Sequence, residues 1–171
     1  AGRNEYALRW VGDRDWTYSR SFEDTGGPRL LRAEGLDTVA EVRLNGSLVL
    51  AAESAFVAHA AEVETRPGEN HPSITLRSAT RRANELQAAQ PFPVPYHAGN
   101  CPIPNGNMLR KPQCDFGWDW NIALAPLGVY GRIGLVGPEG EIAGATIQQV
   151  HRPGAVALEI DVHLQGFGAE L

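Results

Sequence analysis

"TVAEVRLNGSLVLAA", residues 38–52, is the stretch of this sequence that decides the fold. Its first half alternates apolar and charged residues, which is the pattern of a half-buried strand. The apolar residues that would share one face are Ala40, Val42 and Leu44. Asn45-Gly46 then separates this strand from a second apolar run, and this dipeptide favours a two-residue hairpin turn because both turn positions need a positive φ. The stretch therefore predicts two antiparallel strands joined by a tight turn.

Further strands are predicted on both sides of this hairpin. "DWTYSRSF" (15–22) places Trp16, Tyr18, Arg20 and Phe22 on one face. The arginine in that row is compatible with two interpretations, an edge position with a buried stem or a position near a functional site. Residues 56–63, 73–78 and 129–137 also have strand patterns, and "TRPGENH" (65–71) between two of them predicts a loop.

One helix is predicted, at residues 78–90. Ser78 would cap it, an apolar face repeats at helical spacing, and Pro91 would end it. Residues 91–112 then have no regular pattern, and a loop of this length in a compact domain is usually functional or mobile. Many short strands with frequent turns predict an all-β fold, a jelly-roll sandwich.

The last thirty residues have a different character. Residues 141–150 and 154–165 predict two long strands, with the inward side of the second formed by Val156, Leu158, Ile160, Val162 and Leu164. A lone hairpin is marginal in water. We therefore expect two domains, residues 1–138 and a second β domain that begins at 139–171 and is truncated.

Composition excludes several functional classes. The 171 residues are 43% hydrophobic and carry a net charge of −5, which disfavours a nucleic-acid groove. No apolar run approaches the roughly 20 residues needed to span a bilayer, so we expect no membrane partner. Two cysteines do not make a disulfide scaffold, and we expect free thiols in a cytoplasmic protein. The first residues contain neither an initiator Met nor a signal peptide and resemble an internal cut.

Aromatic and charged side chains that could bind a ligand are concentrated in "RKPQCDFGWDWN", residues 110–121. A sugar presents apolar C–H faces and a rim of hydroxyls, and proteins bind it with an aromatic ring and a few fixed polar groups. Trp118, Asp119 and Trp120 supply both within three residues, and Gly117 would allow a turn or a close backbone approach. In an extended segment the two indoles would point one way and the carboxylate the other. The alternative is that a buried Trp and a hydrogen-bonded Asp only fix the loop.

No cofactor motif is present, and no metal site is predicted. His97, Cys101 and Cys114 form the one conceivable metal-binding set, but their spacing fits no standard zinc pattern. The alternative interpretation is a loop histidine and two ordinary thiols.

Several collinear segments resemble the β-mannosidases of glycoside hydrolase family 2. "KPQCDFGWDW" (111–120) resembles a hallmark near the end of their N-terminal sugar-binding domain. Residues 13–23, 31–49 and 127–137 resemble its earlier and closing strands, so the similarity runs from about residue 10 to 136. The chain differs at Asn121, where the family usually has Gly, and at Tyr130, where it has Trp.

The resemblance implies a galactose-binding-like jelly roll, an immunoglobulin-like sandwich and a catalytic (β/α)₈ barrel that is missing here. It implies a retaining exo-acting hydrolase of mannosides or oligosaccharides whose two catalytic glutamates lie on that barrel, so no catalytic residue is assigned to this chain. Trp118 and Asp119 would contact the terminal mannose, and Trp120 would pack. Arg110 and Lys111 would orient Asp119 by charge pairing.

One further expectation follows from the resemblance, and one alternative function competes with it. The first strand or two of the family's domain are missing, and an exposed strand edge would favour a homodimer. The alternative function is a free-standing carbohydrate-binding module without hydrolase activity.

Overall fold

The computed structural model describes residues 3–137 and 139–165, and within them it is mostly strand. The eleven strands of that part of the chain are β1 (Trp16–Ser19), β2 (Phe22–Ala33), β3 (Leu36–Asp37), β4 (Val39–Leu44), β5 (Ser47–Glu53), β6 (His59–Asn70), β7 (Pro72–Leu76), β8 (Gly128–Val129), β9 (Ile133–Val136), β10 (Glu141–Arg152) and β11 (Ala155–Gln165). The helices are α1 (Asn4–Leu8) and α2 (Ala79–Ala88), with 3-10 turns at Arg9–Val11, Gly106–Met108 and Gln113–Phe116.

Two sheets form the body of the fold. One has the strand order β1-β7-β4-β5 and the other the order β6-β2-β9, with β3 and β8 paired separately. Every pairing among the named strands is antiparallel. Neighbours such as β7 and β4 are not consecutive in sequence, as in jelly rolls. The all-β sandwich predicted from the sequence is confirmed.

The predicted hairpin is β4 and β5. Asn45 and Gly46 have φ values of 51° and 87°, as the turn requires. The core between the sheets contains the predicted apolar face of β4 together with residues from five other strands, namely Leu31, Ala33, Leu36, Ala40, Val42, Leu44, Leu50, Ala52, Val63 and Leu76. Local alternation therefore predicted which side of β4 is buried.

Helix α2 begins and ends close to its predicted limits. The Ser78 hydroxyl accepts a hydrogen bond from the backbone N–H of Arg81, which is the predicted N-cap. A second apolar cluster lies beneath the helix and includes Ala79, Ala83, Ile103, Leu109, Phe116, Ala123 and Ala125. This cluster connects the helix to the long loop and to the segment that carries the candidate site.

Two local predictions were wrong, and one short helix was missed. Residues 65–71 were predicted as a loop, but β6 runs through them to Asn70, because their proline and glycine pair with an equally irregular part of β2. The predicted strand at 15–22 is interrupted after Ser19, and Trp16 and Tyr18 on β1 are exposed. Helix α1 was not predicted, since it is a single turn without a side-chain cap.

Strands β10 and β11 form a hairpin of their own, as predicted. Their cross-strand pairs include Ile142 with Leu164 and Ile147 with Ile160, so one face of the hairpin is apolar. The residues expected to face inward in a complete second domain are uncovered among the described residues: positions 155–164 are all exposed. Glu141 at the start of the hairpin pairs with Arg32 at 2.5 Å.

None of the helices in the described ranges is long and apolar enough to cross a membrane.

Candidate functional site

The Trp-Asp-Trp segment is a tight turn. The backbone N–H of Trp118 donates to the carbonyl of Asn121 at 3.2 Å, and the N–H of Asn121 donates to the carbonyl of Trp118 at 3.4 Å. Asp119 and Trp120 therefore occupy its two central positions. The chain reverses here, so the prediction that an extended segment would separate the indoles from the carboxylate is wrong.

The three predicted side chains are accessible to different degrees. Trp118 is 37% exposed, Trp120 is 70% exposed and Asp119 is exposed. Within the described part of the chain, the Asp119 carboxylate makes neither a hydrogen bond nor an ion pair. The proposed packing role of Trp120 is wrong for these residues, because a position at the tip of a turn has no neighbours on most sides. The buried aromatic residue of this segment is Phe116, which is 1% exposed.

Lys111 does not orient Asp119, and that prediction is wrong. Its side chain is fully buried, and Nζ donates to Asp115 at 2.7 Å, to Asp37 at 3.0 Å and to the carbonyl of Pro126 at 2.7 Å. A buried ammonium group is stable only when negatively charged groups lie next to it. Lys111 therefore joins the site segment to strand β3, which ends at Asp37, and to the chain that follows the turn.

Arg110 does not have its predicted role either. It is exposed, its backbone forms a bridge with Ser54, and its carbonyl accepts a hydrogen bond from the N–H of Ala55 at 2.9 Å. Its guanidinium forms no ion pair with Asp119 or with any other described residue. The predicted charge pairing with Asp119 is wrong in this structure.

The turn is held rigidly at its base. The side-chain amide of Asn121 donates to the carbonyl of Cys114 at 2.9 Å, and the N–H of Ala125 donates to the carbonyl of Asp115 at 2.8 Å. Gly117 has a φ of 108°, and a Cβ there would lie 2.4 Å from the ring of Pro102. The predicted need for glycine is confirmed, and Asn121 makes a contact that a glycine could not.

A small crevice adjoins Trp118. Its volume is about 200 Å³. Tyr96 and His97 from the long loop form its other aromatic walls, and the His97 and Trp118 ring centroids are 6.1 Å apart at 42°. The length of the long loop predicted that it is either functional or mobile, but nothing in its sequence indicated that it folds against Trp118.

The cysteines give no sign of a metal centre. Cys101 and Cys114 are free thiols, and Cys101 lies near the carbonyl of Gly117 at 3.4 Å. No group of three or more potential ligands was found among the residues with described positions.

A larger cavity of about 600 Å³ lies between the two sheets. It is lined mainly by apolar side chains such as Leu31, Val42 and Ile74, and Arg20 lies at its border. None of the predicted site residues contacts it. Arg20 is exposed, follows the end of β1 and lines this cavity, whereas it does not line the crevice beside Trp118.

Comparison with known proteins gives the family. The family model for the glycosyl hydrolase 2 galactose-binding domain-like family matches residues 1–131. Beta-mannosidase B of Aspergillus flavus is 33% identical over 145 residues, covering 78% of this chain and 16% of the fungal protein. A probable beta-mannosidase of Caenorhabditis elegans is 34% identical over 146 residues, covering 75% of this chain and 16% of its own length.

The fold is shared with a solved structure. The beta-D-mannosidase of Dictyoglomus thermophilum superposes with a TM-score of 0.78 at 25% identity, over 94% of this chain and 20% of that enzyme. The chain thus spans 16% to 20% of the length of these three relatives. By its sequence and its fold, the chain belongs to the glycosyl hydrolase 2 galactose-binding domain-like family.

Proposed function

We propose that this chain is the non-catalytic N-terminal sugar-binding domain of a retaining exo-β-mannosidase. The observation that carries the proposal is an exposed carboxylate, Asp119, on a turn whose base is fixed by buried contacts, with accessible indoles at Trp118 and Trp120. The relatives that support the enzyme class are β-mannosidases. The chain contributes a loop to a pocket whose catalytic glutamates come from a barrel domain of the same polypeptide.

The roles of the turn follow from its chemistry. An ionised carboxylate accepts hydrogen bonds from sugar hydroxyls, and such charge-assisted bonds are stronger than neutral ones. The Trp118 ring offers an apolar wall for a C–H face. A rigid base matters because a site must hold its groups within about half an ångström of the productive geometry. The bonds from Lys111 and Asn121 provide that rigidity.

The C-terminal part of the chain is consistent with the proposed β-mannosidase. We propose that residues 139–171 begin an immunoglobulin-like sandwich, following a jelly roll at 1–138. The apolar face of the β10–β11 hairpin supports this division, because a two-stranded sheet with a fully exposed apolar face is not stable alone. Further strands of the same polypeptide would cover that face.

The proposal is tested in the full-length protein by Asp119→Asn. A hydrogen bond to a charged group contributes about 1.5 to 3 kcal/mol, so kcat/KM for an aryl β-mannoside should fall about ten- to hundredfold. The matched control is Glu62→Gln, which removes an exposed carboxylate on β6. A kcat/KM within twofold of the wild-type value for Asp119→Asn would remove this residue from the site.

The alternative function, a free-standing carbohydrate-binding module, makes the opposite prediction for the isolated chain. Under the proposal, residues 1–171 neither hydrolyse aryl β-mannosides nor bind mannose tightly, because most of the pocket lies elsewhere. Calorimetry with mannose and manno-oligosaccharides distinguishes the two. Strong binding by the isolated chain would favour the module.

We also propose that the isolated chain tends to form a homodimer through a strand edge. Within the described residues, β1 pairs only with β7 and β9 pairs only with β2, and all four residues of β1 are exposed. Unpaired edges are templates for pairing with another copy. Light scattering at several concentrations tests this, and a monodisperse monomer throughout would contradict it.

A further inference from the structure

The Trp-Asp-Trp turn is held on both sides by one buried side chain. Lys111 Nζ donates to the carboxylate of Asp115 at 2.7 Å and to the carbonyl of Pro126 at 2.7 Å. Asp115 lies just before the turn at residues 118–121, and Pro126 lies just after it. The Lys111 ammonium group therefore joins the chain segment that enters the turn to the segment that leaves it.

Asp37 holds this ammonium group from the body of the sandwich. One of its carboxylate oxygens accepts a hydrogen bond from Lys111 Nζ at 3.0 Å, and the other accepts one from the hydroxyl of Thr38. Strand β3 ends at Asp37, which pairs with Gly128 of β8. The side chain of Asp37 is 14% exposed and Thr38 is buried. The position of the Lys111 ammonium group thus depends on a residue of the sheet region that is distant from the turn in sequence.

The contacts between this ammonium group and the turn are close-packed. The ring centroid of Phe116 lies 5.8 Å from Lys111 Nζ, and the carbonyl of Asp115 accepts a hydrogen bond from the N–H of Ala125 at 2.8 Å. Phe116 and Ala125 are buried, and a Cβ at Gly106 would lie 2.3 Å from the Phe116 ring. A close-packed interior transmits a displacement, because its side chains have no free space to absorb it. A shift of the ammonium group would therefore move both ends of the turn.

We propose that Asp37 is a positioning residue for the Asp119 carboxylate and acts on it through Lys111 and Asp115. This role depends on the proposed function, because the position of Asp119 affects activity only if its carboxylate binds the sugar. In Asp37→Asn, the new amide keeps an oxygen that can accept a bond from Nζ but has no negative charge. The ammonium group would then move towards Asp115, the carboxylate that remains charged, and would displace the turn.

The test is a double-mutant cycle on kcat/KM of the full-length protein for an aryl β-mannoside. Asp37→Asn alone should lower kcat/KM about three- to tenfold, within the range of couplings that packed networks transmit. In the Asp119→Ala background the same substitution should lower kcat/KM less than twofold, because the carboxylate that it displaces is no longer there. A loss of stability alone would not couple to Asp119 when the kinetics are measured at a temperature at which all variants are folded.

The matched control is Asp24→Asn. Asp24 pairs with Arg29, both side chains are 13% exposed, and both border the cavity between the sheets. This substitution should leave kcat/KM within twofold in both backgrounds. Asp115→Asn alters the Lys111 contacts from the side of the turn and should couple to Asp119 as Asp37→Asn does; it takes the place of Asp37→Asn if that variant does not fold.

The possible results distinguish the positioning role from the proposed function. Asp119→Ala should lower kcat/KM by itself, and a value within twofold of the wild type would contradict the proposed function. If Asp119→Ala lowers kcat/KM but Asp37→Asn has the same effect in both backgrounds, or no effect in either, Asp37 does not position Asp119 and the proposed function stands. An effect of Asp37→Asn that disappears in the Asp119→Ala background supports the positioning role.

Discussion

Replacement of Lys111 by Met should be among the most destabilising substitutions in this chain. Lys111 is the only lysine in the sequence, yet its side chain is fully buried between Asp37 and Asp115. Its Nζ lies 3.0 Å from one carboxylate and 2.7 Å from the other. Methionine would fill the space without the charge, so both carboxylates would lose their counter-ion while remaining close to each other.

The cost can be bounded from the structure. Removal of one partner from a buried ion pair costs about 3 to 5 kcal/mol. We expect the lower end of this range, because the two aspartates are 14% and 17% exposed and water can partly solvate them. With a urea slope of about 2 kcal/mol per molar, a loss of 3 kcal/mol lowers the unfolding midpoint by about 1.5 M.

Urea unfolding followed by tryptophan fluorescence measures this change directly. The matched control is Arg82→Met, because Arg82 pairs with Glu53 and Glu85 at the surface and should contribute at most about 1 kcal/mol. Addition of Asp37→Asn and Asp115→Asn to Lys111→Met should restore part of the stability. A loss below about 1 kcal/mol for Lys111→Met would mean that Asp37 and Asp115 do not need the buried ammonium as a counter-ion.

Three other substitutions test the packing around Phe116, the hydrogen bond of Asn121 and the ion pair of Asp24. Gly106→Ala should lower the free energy of unfolding by about 1 to 3 kcal/mol through overlap with Phe116, measured by urea unfolding; an unchanged midpoint would show that the ring can move aside. Asn121→Gly removes a hydrogen bond worth about 0.5 to 1.5 kcal/mol and should lower kcat/KM of the full-length protein with little change in its melting temperature. Equal activity would mean that the turn does not need this bond. Burial acts to raise the pKa of Asp24, but the hydrogen bond from Arg29 and other contacts lower it to about 2 from 3.8. A carboxylate with a lowered pKa stabilises the fold above its unfolded-state value, and this contribution is lost as the pH falls from about 4 to about 2. Asp24→Asn should therefore flatten the stability curve in that window, and parallel curves for the two proteins would contradict this.

The features that the sequence predicted well depend on neighbouring residues. The turn at Asn45-Gly46 and the cap at Ser78 need only the chemistry of a few adjacent positions, and both are present. Composition singled out residues 110–121, although an extended segment and not a turn was expected there. The buried side of β4 was also assigned correctly, because its alternating pattern depends only on neighbouring residues.

The features that were missed depend on distant residues. Strand β6 passes through Pro67 because Thr25 of β2 pairs with it, and neither segment indicates this alone. The burial of Lys111 depends on Asp37, which precedes it by 74 residues. The resemblance implied that Trp120 packs, but the reversal at residues 118–121 leaves it exposed.

The contact between Asp119 and the sugar is tested most directly by a crystal structure of the full-length protein with a bound mannose-derived inhibitor. A carboxylate oxygen of Asp119 should lie about 2.5 to 3.0 Å from a hydroxyl of the terminal mannose. This contact would be contradicted by a fully occupied inhibitor whose hydroxyls are all bonded to other groups while Asp119 faces bulk solvent.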